Sequence, residues 1–196
     1  MCRALDRLWN EKEGLKPFAH IGAVPVDGGG SEAPKRALHL AKLGYSVAYF
    51  ADSDRDIDPD EKILRDNGVE VIVWNGEVAT EQRVCQDLPW EGLQMVIDAA
   101  IEIKGDENGI ISAIAARIKS PNILPTCKIG DWLATGFPEE SIRNSIGDTA
   151  KSEKQKWFKM IHTGEQLGQI IYQYLPAIKD KDLFQKIEQL KRWING

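Results

Sequence analysis

Two short apolar runs, Val47–Ala51 and Val69–Trp74, stand about twenty residues apart, and the stretch between them carries its own helical pattern at about 59–67 with Gly68 behind it. A strand, a helix and a second strand in that order leave few folds open. The second strand must lie parallel to the first, because a crossover of this length can return the chain only to the same end of the sheet. The first run ends abruptly in "DSD": Asp52 and Asp54 are two carboxylates one residue apart at the end of an apolar strand. They repel each other, and desolvating either without a partner costs about 1–3 kcal/mol or more. Something must compensate them.

Upstream, "IGAVPV" (Ile21 to Val26) reads as a further strand ending at Asp27 and three glycines, Gly28 to Gly30. "SEAPKRALHLAKLG" comes next as a helix, with Ser31 as N-cap, Pro34 in the first turn and Gly44 as the stop. Residues 1–10 place Ala4, Leu5, Leu8 and Trp9 on one helical face with no preceding element to anchor it. Beyond Trp74 the pattern is helical: "TEQRVCQDL", "WEGLQMVIDAAIEIKG", then 107–119, 139–150, 156–175 and 180–194, with a short strand conceivable only within 94–98. The expected architecture is α/β, a parallel sheet with flanking helices over residues 1–104, followed by a helical segment over 105–196.

Composition narrows function. Twenty-five Lys plus Arg against thirty Asp plus Glu give a net charge of -5, so no global field draws the chain to nucleic acid or to an anionic membrane. Any DNA contact is local or bridged by metal. Cys2, Cys85 and Cys127 have no metal-binding spacing and read as free thiols of a reducing compartment. No apolar run is long enough to span a bilayer, and the N-terminus lacks the order of a signal peptide, so the expected location is cytoplasmic. The glycines form neither GxGxxG nor GxxxxGK[ST], His20, His39 and His162 suggest no ligand set, and there is no GxSxG.

Chemistry in open parallel sheets gathers at the carboxyl ends of strands. Asp27, Asp52 and Asp54 end expected strands and Glu81 opens the helix after the third, so four acids converge on one edge. A hard divalent cation such as Mg²⁺ is the simplest group that stabilises them. Each acid taken singly is more often a helix cap or turn former than a ligand, and it is the DxD pair, whose alternate residues at a strand end can approach one ion, that turns the reading toward metal.

"VDGGG", "ALHLAKLGYSVAYFADSD" and "NGEVATEQRVCQDLPW", in this order and spacing, resemble the Toprim nuclease domain of ATP-dependent endonucleases of the OLD (overcoming lysogenization defect) family. A shorter block, "KQKWFKMIHTGEQLG", is similar to the helical region after that core. The resemblance implies a Toprim-like domain over residues 1–104 that hydrolyses DNA phosphodiesters with two Mg²⁺ or Mn²⁺ ions. Asp52 and Asp54 match the DxD metal ligands, Asp27 and Glu81 the further acids, and Lys159 the catalytic lysine, with Lys156 as fallback. The family places a glutamate-bearing EGxTE segment just upstream of the helix matching "CRALDRLW", and an ATP-binding domain before that. Met1 stands where the glutamate segment has already ended, so a truncated chain is expected, lacking the first strand. It should bind metal poorly, cut DNA weakly or not at all, and be unstable, associate through an open sheet edge, or leave residues 1–10 displaced from their family position. ATP would enter only through the absent N-terminal ATPase domain, a partner in the same polypeptide. The alternative is a non-catalytic Toprim-like interaction module. A phosphotransfer receiver is disfavoured because "WNGEVATEQ", after the third run, offers no lysine at the strand end.

Overall fold

The computed structural model describes residues 1–118, 126–134 and 136–196. Ten α-helices and two strands occur among them: α1 (Cys2–Glu13), α2 (Ala33–Lys42), β1 (Val47–Ala51), α3 (Glu61–Asp66), β2 (Val69–Val73), α4 (Thr80–Asp87), α5 (Trp90–Lys104), α6 (Glu107–Ile118), α7 (Ile129–Ala134), α8 (Glu139–Lys151), α9 (Ile161–Tyr174) and α10 (Asp182–Asn195). The molecule is α/β, largely helical, with a small parallel sheet.

β1 and β2 pair in parallel from Val47 opposite Val69 to Ala51 opposite Val73. Alternation along each strand sorts side chains to two faces. Val69 and Val71, with Val47 and Tyr49 beside them, pack on Ala37 of α2 and Leu64 of α3. Phe50, Ile72 and Trp74 face the other way, where α10 covers the sheet, and the Phe50 and Trp74 rings meet edge-on at 5.2 Å. Gln189 of α10 donates to Glu70 of β2 at 2.6 Å on this face.

The expected strand over 21–26 does not form. A short 3₁₀ turn, Phe18–Ile21, closes on Gly22 at φ 74, and the chain from there to Asp27 is irregular, with Val24 75% and Val26 69% exposed. Pro25 removes a ladder donor, and the alternation of "IGAVPV" specifies a strand only where a neighbour offers its edge. All five residues of β1 remain half-buried, and its second edge has no strand partner among the described residues. The conceivable strand within 94–98 is likewise corrected: it is the middle of α5, where Leu93, Val96, Ile97 and Ala100 are buried at helical spacing. The helix expected over 107–119 runs to Ile118, and residue 119 lies outside the described residues.

The main hydrophobic core draws on both sides of residue 104, from Leu5 and Trp9 through Leu93 and Ile97 to Trp132, Ile146, Ile171 and Ile187. The anchor that the sequence did not reveal for α1 is α9. Their crossing is so close that a Cβ at Gly168 would sit 2.9 Å from that of Ala4. Gly147 does the same service where α8 crosses α4: a Cβ there would lie 2.9 Å from the Gln82 Cα.

The helix expected over 156–175 begins only at Ile161. α8 ends at Lys151, a turn comes next in which Lys156 adopts φ 47, and Trp157 and Phe158 plunge into the core while Lys159 and Met160 stay outside. Trp157, Phe158, Leu167 and Ile171 are buried as their apolar character predicts, but Ile161 is 67% exposed. A turn ahead of α9 lets the two aromatics enter the core from a direction that a continuous helix would not allow. Among the described residues, no helix is long and apolar enough to cross a membrane.

Candidate functional site

The carboxyl end of β1 opens into a cleft of about 660 Å³ whose lining includes Tyr49, Asp52, Asp54, Lys151 and Lys159. Ser53 fixes its floor. The Ser53 backbone N–H donates to the carbonyl of Val78 at 3.1 Å, its hydroxyl donates to the carbonyl of Gly76, and the Val78 N–H returns a bond to that hydroxyl at 3.2 Å. The residue between the two aspartates thereby ties the end of β1 to the loop beyond β2.

Each aspartate has a partner. Asp52 Oδ1 accepts from the backbone N–H of Thr80 at 2.8 Å and from its hydroxyl at 2.6 Å, which places the carboxylate at the positive N-terminal end of α4. The Thr80 hydroxyl oxygen in turn accepts from the Trp74 indole at 3.0 Å. Asp54 Oδ2 pairs with the Lys151 ammonium at 2.8 Å, with the Asp54 side chain only 14% exposed. Lys151 also reaches Gln82 Oε1 at 3.3 Å, and the Gln82 amide donates to Asp148 at 2.7 Å. The repulsion anticipated from the sequence is relieved by a helix terminus on one carboxylate and an ammonium on the other.

The remaining candidates divide. Lys159 lines the cleft, is exposed, and makes no ion pair among the described residues. Lys156 pairs with Glu153 at 3.3 Å and is not among the lining residues. Asp27 lies in the exposed loop before α2, where its carboxylate accepts from the Gly29 N–H at 3.0 Å, and it does not line the cleft either. Glu81 is buried at 8% exposure behind the cleft wall, in the first turn of α4. Burial raises its carboxyl above the ordinary value. Asp52 and Asp54 push it further in that direction, against the pull of a backbone hydrogen bond and of Lys159.

That shift has a measurable sign. Starting near the ordinary value of 4.5, the folded protein retains a proton at Glu81 that the unfolded chain has lost, so stability falls as pH rises through the window above it. Glu81→Gln removes this loss. Denaturant titrations in EDTA should show the variant gaining on the parent as pH rises above the ordinary value of 4.5, and a constant difference there would contradict the assignment.

Among the described residues, no three His, Cys, Asp or Glu side chains group to hold a metal ion. Of the four acids expected at the site, Asp52 and Asp54 come to one cavity. Asp52 and Asp54 are hard oxygen donors, and their Oδ2 and Oδ1 respectively have no hydrogen-bond partner within the described protein. This suits a Mg²⁺-type ion, which is held by one or two carboxylates and keeps several waters. The lining as a whole, five carboxylates (Asp52, Asp54, Asp56, Asp148, Glu153) against three basic groups (Arg55, Lys151, Lys159), favours a cation over a bare phosphate. Sequence reasoning missed Thr80, Gln82, Asp148 and Lys151. Lys151 carries only the generic mark of a cation in the last turn of a helix, and nothing local links it to Asp54, ninety-seven residues away. Comparison with protein-family models, with curated proteins and with solved structures returned no match for this chain.

Proposed function

We propose that this chain is the Toprim-like nuclease domain of an ATPase-nuclease of the OLD type, hydrolysing DNA phosphodiesters with Mg²⁺ or Mn²⁺. The observation that carries the reading is the meeting of Asp52, Asp54 and Lys159 in one cleft at the carboxyl end of a parallel strand, although Lys159 stands more than a hundred residues away in sequence. A divalent cation bound at such a site neutralises phosphate charge and supplies an activated water. The chain's own part is to position and to compensate. Asp52, fixed by Thr80, and Asp54 present oxygens from one strand end. Lys159 offers an unpaired ammonium to the phosphate as negative charge builds in the transition state. DNA and an upstream ATPase domain are the partners this reading implies, and no ATPase activity is assigned to the chain itself.

The test is nicking of supercoiled plasmid by the protein with Mg²⁺ or Mn²⁺ and with EDTA, alongside Lys159→Ala. Metal-dependent cleavage that Lys159→Ala slows by about 10²-fold, with metal binding retained, is the expected result. Unchanged cleavage in Lys159→Ala would remove that residue from the site. A specific observation favours the second reading, a non-catalytic module of the same fold: both aspartates already have structural partners in Thr80 and Lys151. Absence of any metal-dependent cleavage selects it.

A further inference from the structure

Lys151 stands out in the cleft because its ammonium already neutralises one of the two carboxylates that the proposed metal ion would use. Its ammonium lies 2.8 Å from Asp54 Oδ2, with the aspartate side chain 14% exposed and that of the lysine 36%, so the carboxylate is the more withdrawn of the two. A divalent cation shared by Asp52 and Asp54 would bring two more positive charges beside that ammonium. At such separations like charges repel strongly even at an effective dielectric of about 20. The ammonium and the ion therefore compete for Asp54, even where each takes a different oxygen of it.

A second station for the ammonium is already built. Lys151 touches Gln82 Oε1 at 3.3 Å, and the same Gln82 holds Asp148 through its amide at 2.7 Å. Asp148 is three residues before Lys151 on α8, so both side chains rise from neighbouring positions on one face of the helix. A rotamer change at Lys151 would turn the ammonium from Asp54 toward Asp148, on the side where Gln82 already touches both residues. Gln82 is itself fixed, since its Oε1 accepts from the Ala79 N–H at 2.9 Å.

We propose that Lys151 is an internal counter-cation that competes with the metal: it holds Asp54 in the ion-free protein, transfers to Asp148 when a divalent cation enters, and so sets the affinity of the site. It is a positioning residue, acting through Asp54 rather than on the substrate. This rests on Asp52 and Asp54 being metal ligands, as proposed above.

Calorimetric titration of Mn²⁺ into the protein tests it without any cleavage assay. Removing the competing charge in Lys151→Met, or in Lys151→Gln where a hydrogen-bonding group is retained, should tighten binding by about tenfold. Lys151→Arg, which keeps the charge, should stay within about threefold of the parent. Asp148→Asn should weaken binding, because the displaced ammonium loses its second carboxylate. Circular dichroism checks the fold of each variant, and having both Met and Gln replacements guards against one failing to fold. If the parent binds Mn²⁺ through Asp54, shown by loss in Asp54→Asn, but the uncharged variants bind no tighter, the counter-cation role is overturned and the metal site stands. If neither the parent nor the uncharged variants bind Mn²⁺, the metal-site reading falls and this inference with it.

Discussion

Asp54→Asn should reduce Mg²⁺- or Mn²⁺-dependent plasmid nicking by at least about 10²- to 10³-fold while leaving the fold intact. The exchange is isosteric, and one lost carboxylate charge removes a ligand that neither Asp27 nor Glu81 replaces, since they do not line the cleft. Asp52 is the less clean target. Its carboxylate also receives the N–H and hydroxyl of Thr80, so Asp52→Ala would remove a helix-terminal contact worth about 1 kcal/mol as well as a metal ligand. Full nicking activity in Asp54→Asn, under conditions where EDTA abolishes it in the parent, would show that the metal-dependent chemistry lies elsewhere on the molecule.

The largest effect on stability is expected at Trp157. Its side chain is fully buried, packs in the main core with its ring 6.4 Å from that of Phe158, and anchors the turn that presents Lys159 to the cleft. Trp157→Ala should cost about 3–5 kcal/mol, read as a fall in the urea midpoint at unchanged slope. Because the indole N–H has no hydrogen-bond partner among the described residues, Trp157→Phe should cost well under half as much. A similar loss in both variants would mean that ring size alone sets the packing there.

Elements whose identity rests on local pattern were legible from sequence. The runs at 47–51 and 69–74 are the two parallel strands, the latter ending at Val73, and the apolar periodicities of α2, α4, α5, α8 and α10 mark real helices. The failures share a cause. "IGAVPV" alternates like a strand, but alternation states only what a strand would look like if an edge were offered to it, and Pro25 weakens the offer. "WFKMI" continues a helical pattern, yet the core takes Trp157 and Phe158 through a turn, a decision made by the cavity they fill. At the site, the "DSD" sequence announced a problem of charge without naming its solution. Asp52 is answered by a helix terminus twenty-eight residues on and Asp54 by a lysine at the far end of α8, contacts that exist only once the chain has folded. α7 (Ile129–Ala134), six residues with Trp132 at its centre, was too short to register as a period.

Gly147 gives the cleft its calibre. α8 can lie against α4 only because position 147 has no side chain, and Lys151 stands about one turn further along the same helix, so the width of that single contact fixes how far the ammonium must reach to touch Asp54. On the proposed reading of a cation in this cleft, its affinity is written partly in a residue that never faces the ion. Two chains with the same aspartates, glutamine and lysine but a different side chain at 147 would then be alike in every group offered to the ion and unlike in how firmly they hold it.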